Sequence, residues 1–402
     1  MPRFRILFVA RPYSIHTARW INQVADQGWD LHLFPSSEAP LHPDFRNLTT
    51  YFIQKDPSVR LDASVRARVL WPMSRGGHTL QRLAQRVPSA WSDRSQWLAR
   101  VIRRVKPDVI HALEFQEAGY LIARTKPLFA PKEFPPLVVS NWGSDIYLYG
   151  PLPNHAKEIK SVLASADYYA AECHRDVDLA RDYGFNGEAW PVLPAAGGFD
   201  ILNMRQYAEP GPTSARKIIS LKGYQHWAGR GLVGLRALEL SADVLRAKGF
   251  SVAVYSIHNP DVRLAVQRAE ARTGIRFEMI PAETRADVLK IQGHSRVSIG
   301  LSISDGLSTS ALEALIMGAF PIQSDTSCLC ELVKCGEGCL AVPAEDPVPV
   351  ADAIMRAATD DRLVDKAAEI NQRIALQHLS EEVVKPKVIS LYQQIFSAVK
   401  NQ

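Results

Sequence analysis

No uninterrupted apolar run of about 18 residues occurs in this sequence, so no transmembrane helix is expected. No Gly-x-Gly-x-x-Gly follows the first strand-like run, which argues against a dinucleotide-dependent dehydrogenase. The chain has only 5 cysteines in 402 residues, too few for a disulfide framework, and four of them (Cys328, Cys330, Cys335, Cys339) crowd into one short stretch. Reduced thiols are the expectation, with zinc ligation the alternative. Internal repeats and low-complexity segments are also missing. The opening run Ile6-Leu7-Phe8-Val9-Ala10 is too short for a signal-peptide core and reads as the first strand of a cytoplasmic protein.

What is present is the balance of a water-soluble globular chain, 47% hydrophobic and 22% charged, with length for two domains of roughly 200 residues each. The net charge of +5 is uneven: residues 1–205 hold 25 Lys and Arg against 20 Asp and Glu. Ten arginines fall between Arg60 and Arg104, against Asp62 and Asp93 alone, interleaved with Trp71, Trp91 and Trp97. Such a segment suits an anionic membrane face, or a solvated helical face whose arginine stems cover the core. Nucleic acid is not expected as a partner, because no aromatic-basic platform or helix-turn-helix pattern accompanies the charge.

Apolar strand-like runs alternate with helical periodicity twice over, the mark of two parallel-sheet α/β units. In the first half strands are expected at 5–10, 31–34, 109–112, 137–141 and 168–171, with helices at 17–27, 155–164 and 174–183. Pro210-Gly211-Pro212-Thr213 reads as a linker. Beyond it come strands at 217–221, 252–256, 276–280, 297–301 and 320–323. Helices are expected at 232–248, 262–273, 285–292, 310–317, 348–359, 361–377 and 384–400.

Two segments carry chemistry. Ser304-Asp305-Gly306-Leu307-Ser308-Thr309-Ser310 runs from a strand into a helix that holds Glu313 and ends at Gly318. Backbone N–H groups of Leu307, Ser308 and Thr309 open that helix and suit a diphosphate. Glu313 lies about two helical turns beyond Asp305, placing it to reach a ribose while Asp305 faces a sugar. On spacing alone, a capping Asp and a solvated Glu on an amphipathic helix is the better fit. The second segment, Leu221-Lys222-Gly223-Tyr224-Gln225-His226-Trp227-Ala228-Gly229-Arg230-Gly231, is a glycine-rich strand-to-helix loop in which Arg230 can neutralise a phosphate. Asp176-Val177-Asp178 is an Asp-x-Asp, but it falls in a helical stretch and no metal is expected there.

The first segment resembles the Glu-x7-Glu signature of the retaining glycosyltransferases of family 4, keeping Gly306, Glu313, Ala314, Gly318 and Pro321, with Asp305 for the first Glu and Ser308 for a Gly. Gly223 and Arg230-Gly231 resemble that family's Gly-Arg…Lys-Gly loop, with Tyr224 where its first Arg stands. Lys106-Pro107-Asp108-Val109-Ile110-His111 and Asn141-Trp142-Gly143-Ser144-Asp145 resemble its N-terminal strand and turn, with Trp142 in place of His. The cysteine stretch overlies the family's Pro-Glu-Leu-Val and Asn-Gly loop, which favours small loop residues over zinc.

The resemblance implies a GT-B fold: two Rossmann-like α/β domains facing each other across a cleft, with a C-terminal helix crossing back. The expected division is 1–207 for the acceptor, 208–384 for the nucleotide sugar, and 385–402 for the returning helix. It implies retaining transfer of a sugar from a nucleotide-sugar donor to a glycan or lipid-linked acceptor in bacterial surface-polysaccharide synthesis, with no cofactor or metal. Asp305, His111 and Asp145 are the expected catalytic groups. The expected donor contacts are Gly223, Arg230, Gly231, Leu307, Ser308, Thr309 and Glu313; the expected acceptor contacts are Ser14, His16 and Glu114. The location implied is cytoplasmic, with peripheral contact through 60–104 on the inner face of the membrane. Other readings are a GT-B epimerase or hydrolase acting on nucleotide sugars, and an inactive nucleotide-sugar-binding relative.

Overall fold

The computed structural model describes residues 3–53, 61–70, 93–280 and 284–400. Contacts divide the chain into two units, one formed by Met1–Gly197 with Val384–Gln402 and the other by Gly198–Val383.

The first unit is built on an eight-stranded sheet. Its strands are β1 (Arg5–Ala10), β2 (Asp30–Pro35), β3 (Thr49–Phe52), β4 (Arg66–Val69), β5 (Val109–Leu113), β6 (Leu137–Ser140), β7 (Tyr168–Ala170) and β8 (Glu188–Ala189), in the order β4-β3-β2-β1-β5-β6-β7-β8. Every pairing is parallel, with Ile6 beside Leu31 on one side and Val109 on the other. A parallel sheet covered on both faces demands apolar residues at consecutive positions. In β1 the two-residue period sends Ile6, Phe8 and Ala10 into one core and Leu7 and Val9 into the other. Helices Arg94–Val105 and Pro153–Ser165 cover the second face through Leu98, Val101, Ile102, Ile159 and Val162.

The first face is closed by the C-terminal helix Glu381–Lys400, which buries Val384, Val388, Leu391, Tyr392 and Ile395 there. Tyr392 is the polar pin of this contact. Its hydroxyl accepts from Trp20 Nε1 at 3.0 Å and meets His111 Nδ1 at 2.6 Å. His111 Nε2 lies 2.7 Å from Ser140 Oγ, so both ring nitrogens are hydrogen-bonded.

The second unit has six parallel strands, β9 (Ile218–Lys222), β10 (Ser251–Tyr255), β11 (Phe277–Met279), β12 (Ser295–Gly300), β13 (Phe320–Ser324) and β14 (Leu340–Val342), ordered β11-β10-β9-β12-β13-β14. Reversal of strand order about β9 and β12 makes the edge beyond their carboxyl ends the place where an open α/β sheet receives a ligand. Local chemistry sets the helix ends. Asn259 caps Pro260–Thr273, Thr284 and Asp287 form a capping box, and Gly318, at φ 82°, ends Thr309–Met317 in a left-handed conformation.

Three details depart from the sequence expectations. The helix expected over 232–248 is two helices, Gly231–Leu240 and Ala242–Ala247, because Ser241 turns its hydroxyl back onto Ala237 O at 2.9 Å. The helix expected to reach residue 27 stops at Asn22, after which Gln23, Val24 and Ala25 bond to the third residue back and tighten the turn. Strands β3, β4, β8 and β14 were not anticipated: they are two to four residues long, and β4, exposed at all four positions, is a basic edge strand.

Replacing Tyr392 with Phe strands the buried Trp20 and His111 nitrogens, and a loss of about 1–3 kcal/mol is expected. Tyr392→Ala adds a cavity and should lose about 3–5 kcal/mol. Urea denaturation measures both, and a neutral Tyr392→Phe would show that the hydroxyl holds nothing.

Candidate active site

At the carboxyl edge of the second sheet, β9 ends in Lys222, and β12 leads through Leu301–Ser308 into the helix Thr309–Met317. Ser308 stands at the N-cap with no side-chain cap bond; its hydroxyl lies 3.1 Å from that of Ser310. Asp305 accepts from Gly306 N at 3.0 Å. Glu313 is buried one turn into the helix, its carboxylate 3.4 Å from the half-exposed Arg285 guanidinium.

Lys222 joins the two acids. Burial pushes its ammonium down from the usual lysine range, and Asp305 and Glu313 oppose that shift through their negative charge. Two carboxylates and one amine therefore share this strand edge, in electrostatic reach of one another. Behind them Tyr255 is raised far above an ordinary phenol, by burial first and then by Glu313; Gln292 Nε2 donates to its hydroxyl at 2.9 Å.

The glycine-rich loop is sewn to the same edge. Arg230 N donates to Leu301 O at 2.9 Å, Ile303 N to Ala228 O at 3.0 Å, and Gly231 N to Tyr224 O at 2.7 Å. A Cβ at Gly229 would lie 2.6 Å from Tyr224 O, so the loop closes only with glycine there. The Arg230 side chain turns to Glu345, 2.9 Å away, and to the carbonyls of Ala228 and Gly229. Lys222, not Arg230, is thus the cation that the fold sets beside Asp305 and Glu313.

In the first unit the strand ends gather a second charged group. Glu114, directly after β5, has φ 84° and ψ 161°, a region costly for any side chain. Its carboxylate accepts from Glu117 N at 2.9 Å and Ala118 N at 2.6 Å, which caps the π-helical turn Phe115–Gly119, and pairs with Arg11 at 3.1 Å. Asp145 accepts from Trp142 N at 2.9 Å and Phe115 N at 3.1 Å. Burial raises Glu114 to about 7 against the pull of Arg11; Asp145 is raised too, by burial and then by Glu114. Glu114 and Asp145 thus converge on one turn.

The other expected residues lie around this group. His16 faces the Trp142 ring, centroids 5.8 Å apart, while Ser14 caps the helix Ile15–Asn22 by accepting from Thr17 N at 3.5 Å. His111 sits lower, with no exposed surface, both nitrogens engaged and its pKa held down to about 3 by burial, so it is a core group. Asp176 of the Asp-x-Asp is fully buried against Asn141 and Arg175. Trp20, Trp142 and Trp190, with Leu113, Asn141 and Leu193, line a neighbouring hollow.

Comparison with known proteins bears on this pair of sheet edges. Residues 78–172, which include β5, β6 and β7, match the model of the family described as glycosyl transferase 4-like. The matched stretch makes up about a quarter of the chain. The fold of the whole chain is GT-B, shared with solved structures that cover nearly its full length. Sucrose-phosphate synthase of Thermosynechococcus elongatus superposes with a TM-score of 0.69 at 14% identity, over 98% of this chain and 100% of that one. The Anabaena protein HepE, in complex with UDP-glucose, gives 0.67 at 13%, over 98% and 100%. A glycosyltransferase of Rickettsia africae gives 0.63 at 14%, over 98% and 99%. No curated protein sequence matches the chain. Among the described residues, no helix is long and apolar enough to cross a membrane.

Sequence reasoning passed over Lys222, Arg11, Glu117, Tyr255 and Arg285. Lys222 and Arg11 carried a legible signal, a charge at the last residue of an apolar strand or the one after it. Arg285 and Tyr255 carried none, since only the fold brings them to Glu313.

The buried acid gives a testable pH dependence. With Glu114 at about 7, against 4.5 unperturbed, the native state keeps a proton that the unfolded chain releases between these values, so its contribution to stability falls as pH rises through that window. His111 acts oppositely: held near 3, it stays neutral while the unfolded chain protonates below 6.5, so stability falls as pH drops. Glu114→Gln removes the first contribution and leaves the second. The variant's urea midpoints at pH 4.5, 5.5 and 6.5 should climb relative to wild type, with a limiting slope of about 1.4 kcal/mol per pH unit. Parallel profiles would disprove the burial of a protonatable Glu114.

Proposed function

We propose that this protein transfers a sugar, with retention at the anomeric carbon, from a nucleotide-sugar donor bound by the second unit to a glycan or lipid-linked acceptor met by the first. The observation that carries the reading is Lys222 set beside Asp305 and Glu313 where the helix Thr309–Met317 opens. A helix opening with an adjacent ammonium suits a diphosphate, and acids before the helix and within it suit the hydroxyls of the two sugars that flank it.

The roles follow from that placement. Leu307, Ser308 and Thr309 amides, with Lys222, hold the diphosphate; Glu313, steadied by Arg285, takes the ribose; Asp305 takes the transferring sugar. Gly223 and Gly231 let the loop approach, and Arg230, released from Glu345, adds a second cation. During transfer the bond from the anomeric carbon to the phosphate oxygen breaks, the acceptor oxygen bonds on the same face, and its proton passes to the departing phosphate. The protein supplies position and charge rather than a nucleophile. Glu114, Asp145 and His16 orient the acceptor, while His111, having no access to solvent, positions Ser140 and the strand ends.

Bacterial surface-polysaccharide assembly is the setting this reading favours, because its acceptors are carried on membrane lipids and the sequence holds ten arginines between 60 and 104. Of these, Arg60, Arg75, Arg82 and Arg86 lie outside the described residues. Arg94 pairs with Glu38, and Arg100 and Arg103 lie over the Trp97 and Phe129 rings. Flotation with anionic vesicles should carry the protein upward and fail after Arg-to-Ser changes across this stretch; unchanged flotation would dismiss the membrane contact.

The donor site is tested directly by thermal shift with a panel of nucleotide sugars, UDP-glucose among them, since a ligand bound only by the native state raises the melting temperature. Lys222→Met should abolish the shift. Glu313→Ala should lower turnover by about 100-fold or more with an unchanged fold. Wild-type kinetics in either variant would remove the site from the second unit, and release of free sugar or an epimer without acceptor would turn the reading to hydrolysis or epimerisation.

A further inference from the structure

Three cysteines stand outside the sugar chemistry. Cys330 and Cys335 form a disulfide around the short helix Leu329–Leu332, where the sequence alone suggests reduced thiols. Cys339 Sγ lies 3.4 Å from Cys335 Sγ, and all three sulfurs lie within 4.8 Å of one another. Their surroundings differ. Cys330 is exposed and Cys335 half-buried, whereas Cys339 is buried and its thiol is pushed up to about 12 by that burial. Backbone bonds hold the arrangement: Cys335 and Cys339 form a parallel bridge, and Gly336 N donates to Cys339 O at 2.8 Å.

The loop bearing these cysteines is tied to the Asp305 turn. Cys328 N donates to Gly306 O at 3.0 Å, Thr326 Oγ1 to Ser302 O at 2.6 Å, and Ser302 N to Ser324 Oγ at 2.7 Å. A change in the cysteine loop is therefore felt at Ser302 and Gly306, on either side of the turn that leads to Asp305.

We propose that Cys330, Cys335 and Cys339 form a thiol–disulfide exchange site, in which Cys335 trades its bond between the exposed Cys330 and the buried Cys339. The Cys339 thiol gives its proton to water and its sulfur attacks Cys335 Sγ. A Cys335–Cys339 bond forms, the Cys330–Cys335 bond breaks, and the electron pair leaves on Cys330 Sγ, which takes a proton from water. No net oxidation occurs. The thiolate is the attacking species, so burial of Cys339 keeps the exchange slow, while exposure makes Cys330 the entry point for an external thiol. A low-molecular-weight thiolate attacking Cys330 Sγ forms a mixed disulfide there and expels the Cys335 thiolate. A second thiol molecule then frees Cys330 and leaves as the external disulfide.

The exchange does not rest on the sugar-donor reading, and its test needs no nucleotide sugar. Full-length protein is equilibrated in glutathione and glutathione disulfide, quenched in acid, alkylated and mapped by peptide mass spectrometry. The proposal expects a Cys330–Cys335 bond in wild type with a minor Cys335–Cys339 population, the Cys335–Cys339 bond in Cys330→Ser, and the Cys330–Cys335 bond in Cys339→Ser. It is overturned if Cys330→Ser leaves Cys335 and Cys339 unbonded in a buffer where Cys339→Ser forms its bond. Elemental analysis that finds one zinc per chain on three undisulfided thiols would also overturn it. For the link to the turn, amide hydrogen exchange over residues 304–310 should quicken about threefold or more when wild type is reduced with a phosphine. The Cys330→Ser/Cys335→Ser variant should be indifferent to the phosphine. Equal exchange in oxidised and reduced wild type refutes the link.

Discussion

A parallel strand buried on both faces accepts a charge in its interior only with a partner, as Arg296 of β12 has in Asp361, and this constraint shapes the two charged groups described above. Their charged residues sit where a strand stops or in the turn beyond it. Lys222 is the last residue of β9, Glu114 follows β5, Arg11 follows β1, and Asp145 lies just past β6. Because neighbouring parallel strands end at the same edge, charges distant in sequence become neighbours without any loop having to reach for them. Arg11 and Glu114 are 103 residues apart and 3.1 Å from each other.

The two edges use that crowding differently. In the first unit Arg11 stands against Glu114 and Glu117, with Asp145 nearby, and burial, outweighing the pull of Arg11, lifts both Glu114 and Asp145 above the usual carboxylate range. In the second unit Lys222 and Arg285 stand against Asp305 and Glu313, so the charges offset one another.

Legibility from the sequence divided along the same line. The alternation of apolar runs and amphipathic stretches located nearly every long strand and helix, since β1 and the helix Thr309–Met317 are dictated by local period and by caps such as Gly318. Short edge strands escaped because four residues like Arg66-Ala67-Arg68-Val69 bury nothing and leave no periodic trace. The candidate site was legible where a motif is contiguous, as from Asp305 to Glu313, and illegible where it is assembled from separate elements. Arg285 approaches Glu313 from the start of the helix Arg285–His294 and Tyr255 from the end of β10, and nothing in their own neighbourhoods announces it. His111 illustrates the converse case: in sequence a strand-borne histidine reads equally as a reactive group or a satisfied core one, and in the middle of a doubly covered strand it points inward, where Tyr392 and Ser140 meet it.

The glycine-rich loop shows how a motif keeps its place while its residues exchange duties. Gly229 and Gly231 allow the loop to fold against Leu301 and Ile303, so the cation at 230 is delivered to the correct edge, but there its guanidinium finds Glu345 and backbone carbonyls. Tyr224 then places its ring over the Lys222 ammonium at 4.3 Å. An aromatic at this position steadies a lysine that an arginine would repel. The Tyr224 ring and the Lys222 ammonium thus meet where the strand ends, and the charge acting on Asp305 and Glu313 there comes from the strand.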